Sequence, residues 1–197
     1  MKPNPEQLQF LQQFINKINP LKGEAWIAFS EIWETVMVKR KLILRSPGET
    51  EKYLYFVLEG VQRAYHLDDA GNEQTIVFTY PYSFSGVADS FLTQTPTPYF
   101  LETLTPGILL KTSHDQLFNL MEKERSIERL ILNTTAFALK GVIERQIELA
   151  SYSAERKFTT LLNRSPHLLQ LIPHKYLASY LGIDATTFSK LMGKVRL

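Results

Sequence analysis

The sequence contains no cysteine. Disulfides, thiolate-held iron–sulfur clusters and a cysteine nucleophile are therefore excluded, and a cytoplasmic setting fits. No apolar run approaches the roughly 18 residues that a membrane-crossing helix requires. The opening Met1-Lys2-Pro3-Asn4-Pro5 has no apolar signal-peptide core behind its charge. Histidine is sparse, confined to His66, His114, His167 and His174. A metal-binding β-barrel needs a His-x-His group and a carboxylate on neighbouring strands; only His66 falls in a β-rich stretch, so no metal site is expected. No Gly-x-Ser-x-Gly, Walker loop or His-Glu-x-x-His occurs. The acid pairs Asp68-Asp69 and Glu122/Glu124 read as turn and solvated helix surface. The chain is not expected to be an enzyme. One further absence is local: there is no Arg or Lys between Arg63 and Lys111.

What is present is the composition of a folded protein. The 197 residues are 44% hydrophobic and 21% charged, enough for one large or two small domains. The net charge of +2 hides an asymmetry. Residues 151–197 carry seven basic side chains (Arg156, Lys157, Arg164, Lys175, Lys190, Lys194, Arg196) against Glu155 and Asp184, a net +5. The first 150 residues net −3. Such a change of sign suggests two functions in series.

The first segment reads as helix: Asn4 caps, Pro5 fits the first turn, and Leu8, Leu11, Phe14 or Ile15, and Ile18 recur at helical spacing before Asn19-Pro20. A second helix places Trp26, Phe29, Ile32 or Trp33, and Val36 on one side. From Val38 to Lys111 short apolar runs alternate with turn signals. The runs are 41–45, 53–58, 61–66, 74–80, 99–104 and 108–112. The breaks are Ser46-Pro47-Gly48, Glu59-Gly60, Asp68-Asp69-Ala70-Gly71-Asn72, Pro81 and Thr105-Pro106-Gly107. Eleven of the 23 aromatics lie between Tyr53 and Phe100, which favours a β-sandwich or β-barrel there. Asp-Asp-Ala-Gly-Asn suits a hairpin connection.

Ser113 with Gln116 forms a capping box that reopens helix. The longest helical stretch, about 124–150, carries a stripe of Ile127, Leu130 or Ile131, Thr134, Ala138, Val142 and Leu149. A helix of about 25 residues spans roughly 38 Å. Its stripe packs either on the chain's own sheet or on a second copy in a dimer. After Ser151, Ser153 caps one helix, Ser165-Pro166 opens a brief one, Pro173 starts another that stops at Gly182, and Asp184 caps the last. The domains expected are 1–123, a helix at 124–150, and 151–197.

Residues 173–195 have the spacing of a helix-turn-helix. Ala178 is small where two helices would cross, and Gly182 tolerates positive φ in the tight turn. Leu177, Leu181 and Ile183 face Phe188, Leu191 and Val195. The outer face of the second helix is then Ala185, Thr186, Ser189, Lys190 and Lys194, with Thr187 and Lys175 nearby. That face is small, polar and basic, as a helix entering a major groove requires. The alternative is an ordinary helical hairpin with a solvated basic face, in a sensor or interaction module that does not read DNA.

Residues 173–195 resemble the helix-turn-helix of the Crp/Fnr transcription regulators, and Ser-Ala-Glu-Arg-Lys-Phe (153–158) resembles the short helix after their dimer helix. Ser46-Pro47-Gly48-Glu49, Leu54-Tyr55-Phe56-Val57-Leu58-Glu59-Gly60, Gly71 and Phe84-Ser85-Gly86 resemble the glycine-marked strand ends of a cyclic-nucleotide-binding β-roll. The resemblance implies an α+β fold: a double-stranded β-helix (jelly-roll) sensor, a long dimerisation helix, and an all-α DNA-binding domain. It implies a cytoplasmic homodimer with DNA at a pseudo-palindromic operator, and a small-molecule effector.

The sequence departs from that family at both sites. Members that bind cyclic AMP carry Gly-Glu and then Pro-Arg-Ser/Thr, whose carboxylate and Arg meet the ribose and the cyclic phosphate. A buried phosphate needs such a counter-charge. Here those positions read Gly86-Val87 and Pro98-Tyr99-Phe100, with Thr97 as an alternative, and the stretch holds no cation. Arg63 could turn inward from its strand. A pocket behind this segment would be lined by Phe84, Gly86, Val87, Ala88, Phe91, Thr97, Tyr99 and Phe100. That lining suits an apolar or neutral ligand, or filled core, rather than cyclic AMP. In the DNA-binding half, the family's guanine-reading Arg, Glu and Arg are replaced by Ala185, Thr186 and Lys190. Each bidentate Arg–guanine pair discriminates by about 1–3 kcal/mol, so a different operator or weaker specificity is expected. The sequence given stops two residues after Val195, so a minimal DNA-binding domain is expected.

Overall fold

In the computed structural model, which describes residues 1–194, helix α1 (Pro5–Asn16) starts as its capping residues require. Asn4 accepts from the Gln7 backbone N–H at 2.9 Å, and the Gln7 side chain accepts in return from Asn4 N–H at 3.1 Å. Helix α2 (Gly23–Glu31) is shorter than expected. Val36 lies instead in strand β1 (Glu34–Val38), in which Thr35 and Val38 are buried and Met37 is exposed.

The β-region then runs through β2 (Ile43–Arg45), β3 (Tyr53–Glu59), β4 (Gln62–Leu67), β5 (Glu73–Thr79), β6 (Phe84–Ser85), β7 (Phe100–Thr103) and β8 (Gly107–Ser113). The short helix α3 (Ala88–Thr93) sits between β6 and β7. Two four-stranded sheets result, in the orders β1-β8-β3-β6 and β2-β7-β4-β5. Strand β8 runs antiparallel to both β1 and β3, with Leu109 opposite Val36 on one side and Val57 on the other. The β3–β4 and β7–β8 turns meet backbone to backbone. A Cβ on Gly107 would lie 2.2 Å from the Glu59 carbonyl oxygen, and Gly60 has a φ of +91°. Only glycine fits either position.

Two apolar clusters flank the first sheet. One joins Leu11, Ile15, Phe29, Trp33, Phe56, Leu110 and Leu117 to Ile127, Leu130 and Ile131. The other fills the inside of the roll with Tyr55, Val57, Ala64, Val87, Leu101 and Leu109. Burying one such large apolar side chain stabilises by about 1.5–3 kcal/mol. These clusters hold the segment after Gly86 in place.

Helix α4 (His114–Lys123) begins at Ser113, whose hydroxyl accepts from Gln116 N–H. The long helix α5 (Arg125–Ser151) follows. Its stripe divides. Ile127, Leu130 and Ile131 are buried in the core, whereas Leu132, Leu139, Val142 and Leu149 are exposed. Positions 132, 139 and 135, 142, 149 repeat every seven residues, the spacing of a coiled-coil seam. The remaining helices are α6 (Ala154–Arg164), α7 (Leu168–Leu171), α8 (His174–Leu181) and α9 (Ala185–Lys194). The chain divides into two compact units, Met1–Ala64 with Phe78–Phe137, and Tyr65–Val77 with Ala138–Leu197. Among the described residues no helix is long and apolar enough to cross a membrane.

Candidate functional site

The carboxy-terminal helices form around an apolar centre. Phe158, Leu161, Leu168, Ile172, Leu177, Ala178, Leu181, Phe188 and Leu191 are all buried. The rings of Phe158 and Phe188 meet edge to face at 5.4 Å, which fixes α9 against α6. Gly182 ends α8 in the left-handed conformation, with φ 61°. Asp184 then starts α9: its carboxylate accepts from Thr187 N–H at 2.8 Å and from the Thr187 hydroxyl at 2.6 Å. These hydrogen bonds hold the Asp184 carboxyl below its ordinary value.

With Phe188 and Leu191 turned inward, Ala185, Thr186, Ser189, Lys190 and Lys194 are exposed on α9. Lys175 is exposed on α8, its ammonium 4.7 Å from the Tyr176 ring. Thr187 is half-buried and engaged by the cap. Val195, expected to complete the apolar triplet, lies outside the described residues. The exposed face of α9 thus presents two methyls, two hydroxyls and two ammonium groups. Such side chains fit against base edges and phosphates.

In the roll, the residues read as a pocket lining do not share one surface. Phe84 packs between Trp33, Phe56 and Phe14 in the core beneath α1 and α2. Phe91 lies in that same core, against His114 and Phe118. Val87 and Tyr99 belong to the cluster inside the roll. Ala88 is exposed, Thr97 is buried with its hydroxyl accepting from Tyr99 N–H, and Gly86 and Phe100 are half-buried. Gly86 has a φ of +124°, and a Cβ there would sit 3.1 Å from the Tyr53 carbonyl oxygen.

Sequence reasoning missed the charged pair beside Gly86. Glu51 is fully buried. Its carboxylate accepts from Arg45 Nη2 at 3.0 Å, from Tyr53 N–H at 3.1 Å and from Val87 N–H at 3.4 Å. Its own N–H donates to Ser90 Oγ at 2.9 Å. An internal carboxylate therefore takes the Val87 amide, at the start of the segment where the resemblance puts a phosphate. Burial first, and then the Glu51 carboxylate, hold the Tyr55 hydroxyl well above the usual tyrosine range. Arg63 is buried as expected of an inward cation, but its charge is met by Glu102 at 3.0 Å, which also pairs with Lys41 at 3.0 Å. The family pattern drew attention to Glu49, which lies on the surface beside Arg45 at 3.5 Å, while Glu51 makes its key contact 36 residues away. Among the described residues no group of three or more His, Cys, Asp or Glu could hold a metal ion.

Residues 35–124 match the cyclic nucleotide-binding domain family. FixK2 from Bradyrhizobium japonicum has the same fold, with a TM-score of 0.74 at 18% identity over 83% of this chain and 84% of that one. A protein of the Crp/Fnr transcriptional regulators from Eubacterium rectale gives a TM-score of 0.69 at 17% identity, over 88% and 82%. The chain has the Crp/Fnr fold. The c-di-GMP-responsive global regulator CLP of Xanthomonas campestris shares it, with a TM-score of 0.64 at 17% identity over 86% and 89%. No curated protein is similar enough in sequence to add to this. Within the Crp/Fnr fold α9 is the second helix of the helix-turn-helix, and Gly86 to Tyr99 form the link between β6 and β7.

Proposed function

We propose that the protein is a homodimeric, DNA-binding transcription regulator of the cytoplasm. The domains are a roll at 1–123, a dimer helix at 124–150, and a DNA-reading domain at 151–197. The observation that carries this reading is α9: its apolar side is buried, its cap is satisfied, and Ala185, Thr186, Ser189, Lys190 and Lys194 stand free. The segment 151–197 that contains it nets +5, and a basic face on a helix-turn-helix is the footprint of DNA recognition. Lys190 and Lys194 contact phosphates or base acceptors, Lys175 contacts phosphate, and Ala185 and Thr186 meet thymine methyls. Paired through the exposed seam of α5, two copies present their reading helices about 34 Å apart, to successive major grooves of a pseudo-palindrome. No catalytic step is assigned.

The roll is proposed to sense something other than cyclic AMP or cyclic GMP. Glu51 already meets the Val87 amide and the Arg45 charge, and Glu102 meets Arg63. A cyclic phosphate brought there would face the buried Glu51 carboxylate, and the guanidinium groups of Arg45 and Arg63 are already paired with carboxylates, a cost of several kcal/mol. That CLP is c-di-GMP responsive supports a fold whose effector varies. An effector acts only if it binds two states of the protein unequally.

The test is selection from random duplexes followed by a salt series, and a thermal shift with cyclic AMP and cyclic GMP. A selected pseudo-palindrome and no shift with either nucleotide are expected. Protein that selects no sequence would leave a sensor module that does not read DNA. Saturable stabilisation by a cyclic nucleotide would overturn the reading of Glu51.

A further inference from the structure

The last turn of α8 is gripped from two directions. Ser179 donates its hydroxyl to the Glu73 carbonyl at 2.8 Å and accepts from Thr75 N–H at 2.9 Å. Strand β5 is last in its sheet, so these two groups point away from its ladder partner β4. In a parallel ladder, one residue bonds the C=O of position i−1 and the N–H of position i+1 on the next strand. A single side-chain hydroxyl meets that same pair of edge groups here, in place of a strand.

The next residue, Tyr180, is held by α5. The Arg145 guanidinium lies 4.0 Å over the Tyr180 ring and donates to the Tyr180 carbonyl. Arg145 is fixed in turn by Glu148 at 2.8 Å, which also takes Arg164 of α6 at 2.9 Å. Glu148 and Arg145 are both largely buried, so that pair is desolvated and directional, while Arg164 reaches Glu148 from the surface. Two residues further on, a Cβ at Gly182 would lie 3.3 Å from a Leu149 methyl. Glu73, Thr75, Arg145, Glu148, Arg164, Ser179, Tyr180 and Gly182 all belong to one compact unit. Residues 179–182 lead directly into the turn from which α9 departs.

We propose that Ser179 is a positioning residue, through which the outer end of the β4–β5 hairpin sets the direction of α9 and hence the half-site spacing that a dimer accepts. This rests on the proposed DNA-reading function. The Arg145–Tyr180 contact fixes where α8 ends along α5. The Ser179 clasp removes the remaining freedom, rotation of the helix pair about that point. Thr75 is itself buried, so its amide depends on Ser179 rather than on water.

The experiment uses the full chain with Ser179→Ala and Ser179→Thr, on duplexes carrying the selected half-sites at every spacing within three base pairs of the preferred one. The wild type is expected to favour one spacing at least tenfold over its neighbours. S179A should bind the same half-site sequence but lose that preference to within about threefold, with S179T restoring it. An S179A spacing profile identical to the wild type overturns the proposal. Hydrogen exchange at the Thr75 amide separates the two readings. It should quicken at least tenfold in S179A whether or not DNA is bound, and an unchanged rate means the clasp does not hold. Wild-type protein that selects no sequence sinks the regulator reading and the spacing consequence together, while Thr75 exchange still decides the clasp.

Discussion

Leu139→Asp should abolish the proposed pairing of two copies along α5. Leu139 is 58% exposed in the single chain and lies on the seven-residue seam with Leu132, Val142 and Leu149. Pairing two copies along that seam buries it in both. Each fully buried leucine contributes about 2 kcal/mol, so replacing both copies removes about 4 kcal/mol before any cost of burying the new carboxylates. At 1.4 kcal/mol per tenfold, the dissociation constant should rise about a thousandfold or more. Lys140→Ala, one residue away on the solvent face, removes only an exposed pair with Glu144 at 3.8 Å and should change it by less than about threefold. Sedimentation velocity at micromolar concentration reads the result. Wild type and K140A should sediment at twice the chain mass of 22.7 kDa, and L139D at that mass itself. A wild type that sediments as a monomer, or an L139D variant that remains dimeric, refutes the seam.

Three other outcomes follow from the geometry. Glu51→Ala leaves Arg45 only its longer pair with the surface Glu49 and should cost about 3–5 kcal/mol in urea unfolding, whereas the double variant R45M/E51L should cost far less because it removes both charges; additive costs would contradict the pairing. Gly107→Ala would press a Cβ into the Glu59 carbonyl; a loss of about 3 kcal/mol is expected, and a neutral substitution would show that the two turns are not in contact. The Asp184 carboxyl titrates below the 3.8 of an unpaired aspartate. Its cap therefore contributes fully above about that pH and is lost as pH falls through the lower folded value. Thermal melts between neutral and strongly acid pH should show wild type losing ground to Asp184→Asn only at the acid end, since Asn caps without titrating; parallel curves would refute the assignment.

The parts readable in the sequence were those settled within one turn of chain. Asn4, Ser113, Ser153 and Asp184 each cap through a hydrogen bond three residues on, and Gly182 announces its left-handed turn by lacking a side chain. The β-runs survived because turn residues punctuate them. Strand β1 was hidden because Ile32, Trp33 and Val36 also fit a helical stripe. Strand β6 and helix α3 are too short to leave a periodic signal. The long helix shows one stripe in sequence but two in space, because Ile127, Leu130 and Ile131 are buried while Leu139, Val142 and Leu149 are exposed. Glu51 with Val87, and Ser179 with Thr75, are bonds across 36 and 104 residues. No local pattern encodes such pairs; the topology alone brings them together.

The measurement that bears most directly on the central claim is the salt dependence of binding to a selected pseudo-palindrome, for wild type and Lys190→Ala. A steep linear fall of log affinity with log salt is expected in the wild type, and a slope shallower by about one in K190A as that ammonium no longer meets a phosphate. Affinity that is flat with salt, or equal for all sequences, would contradict it.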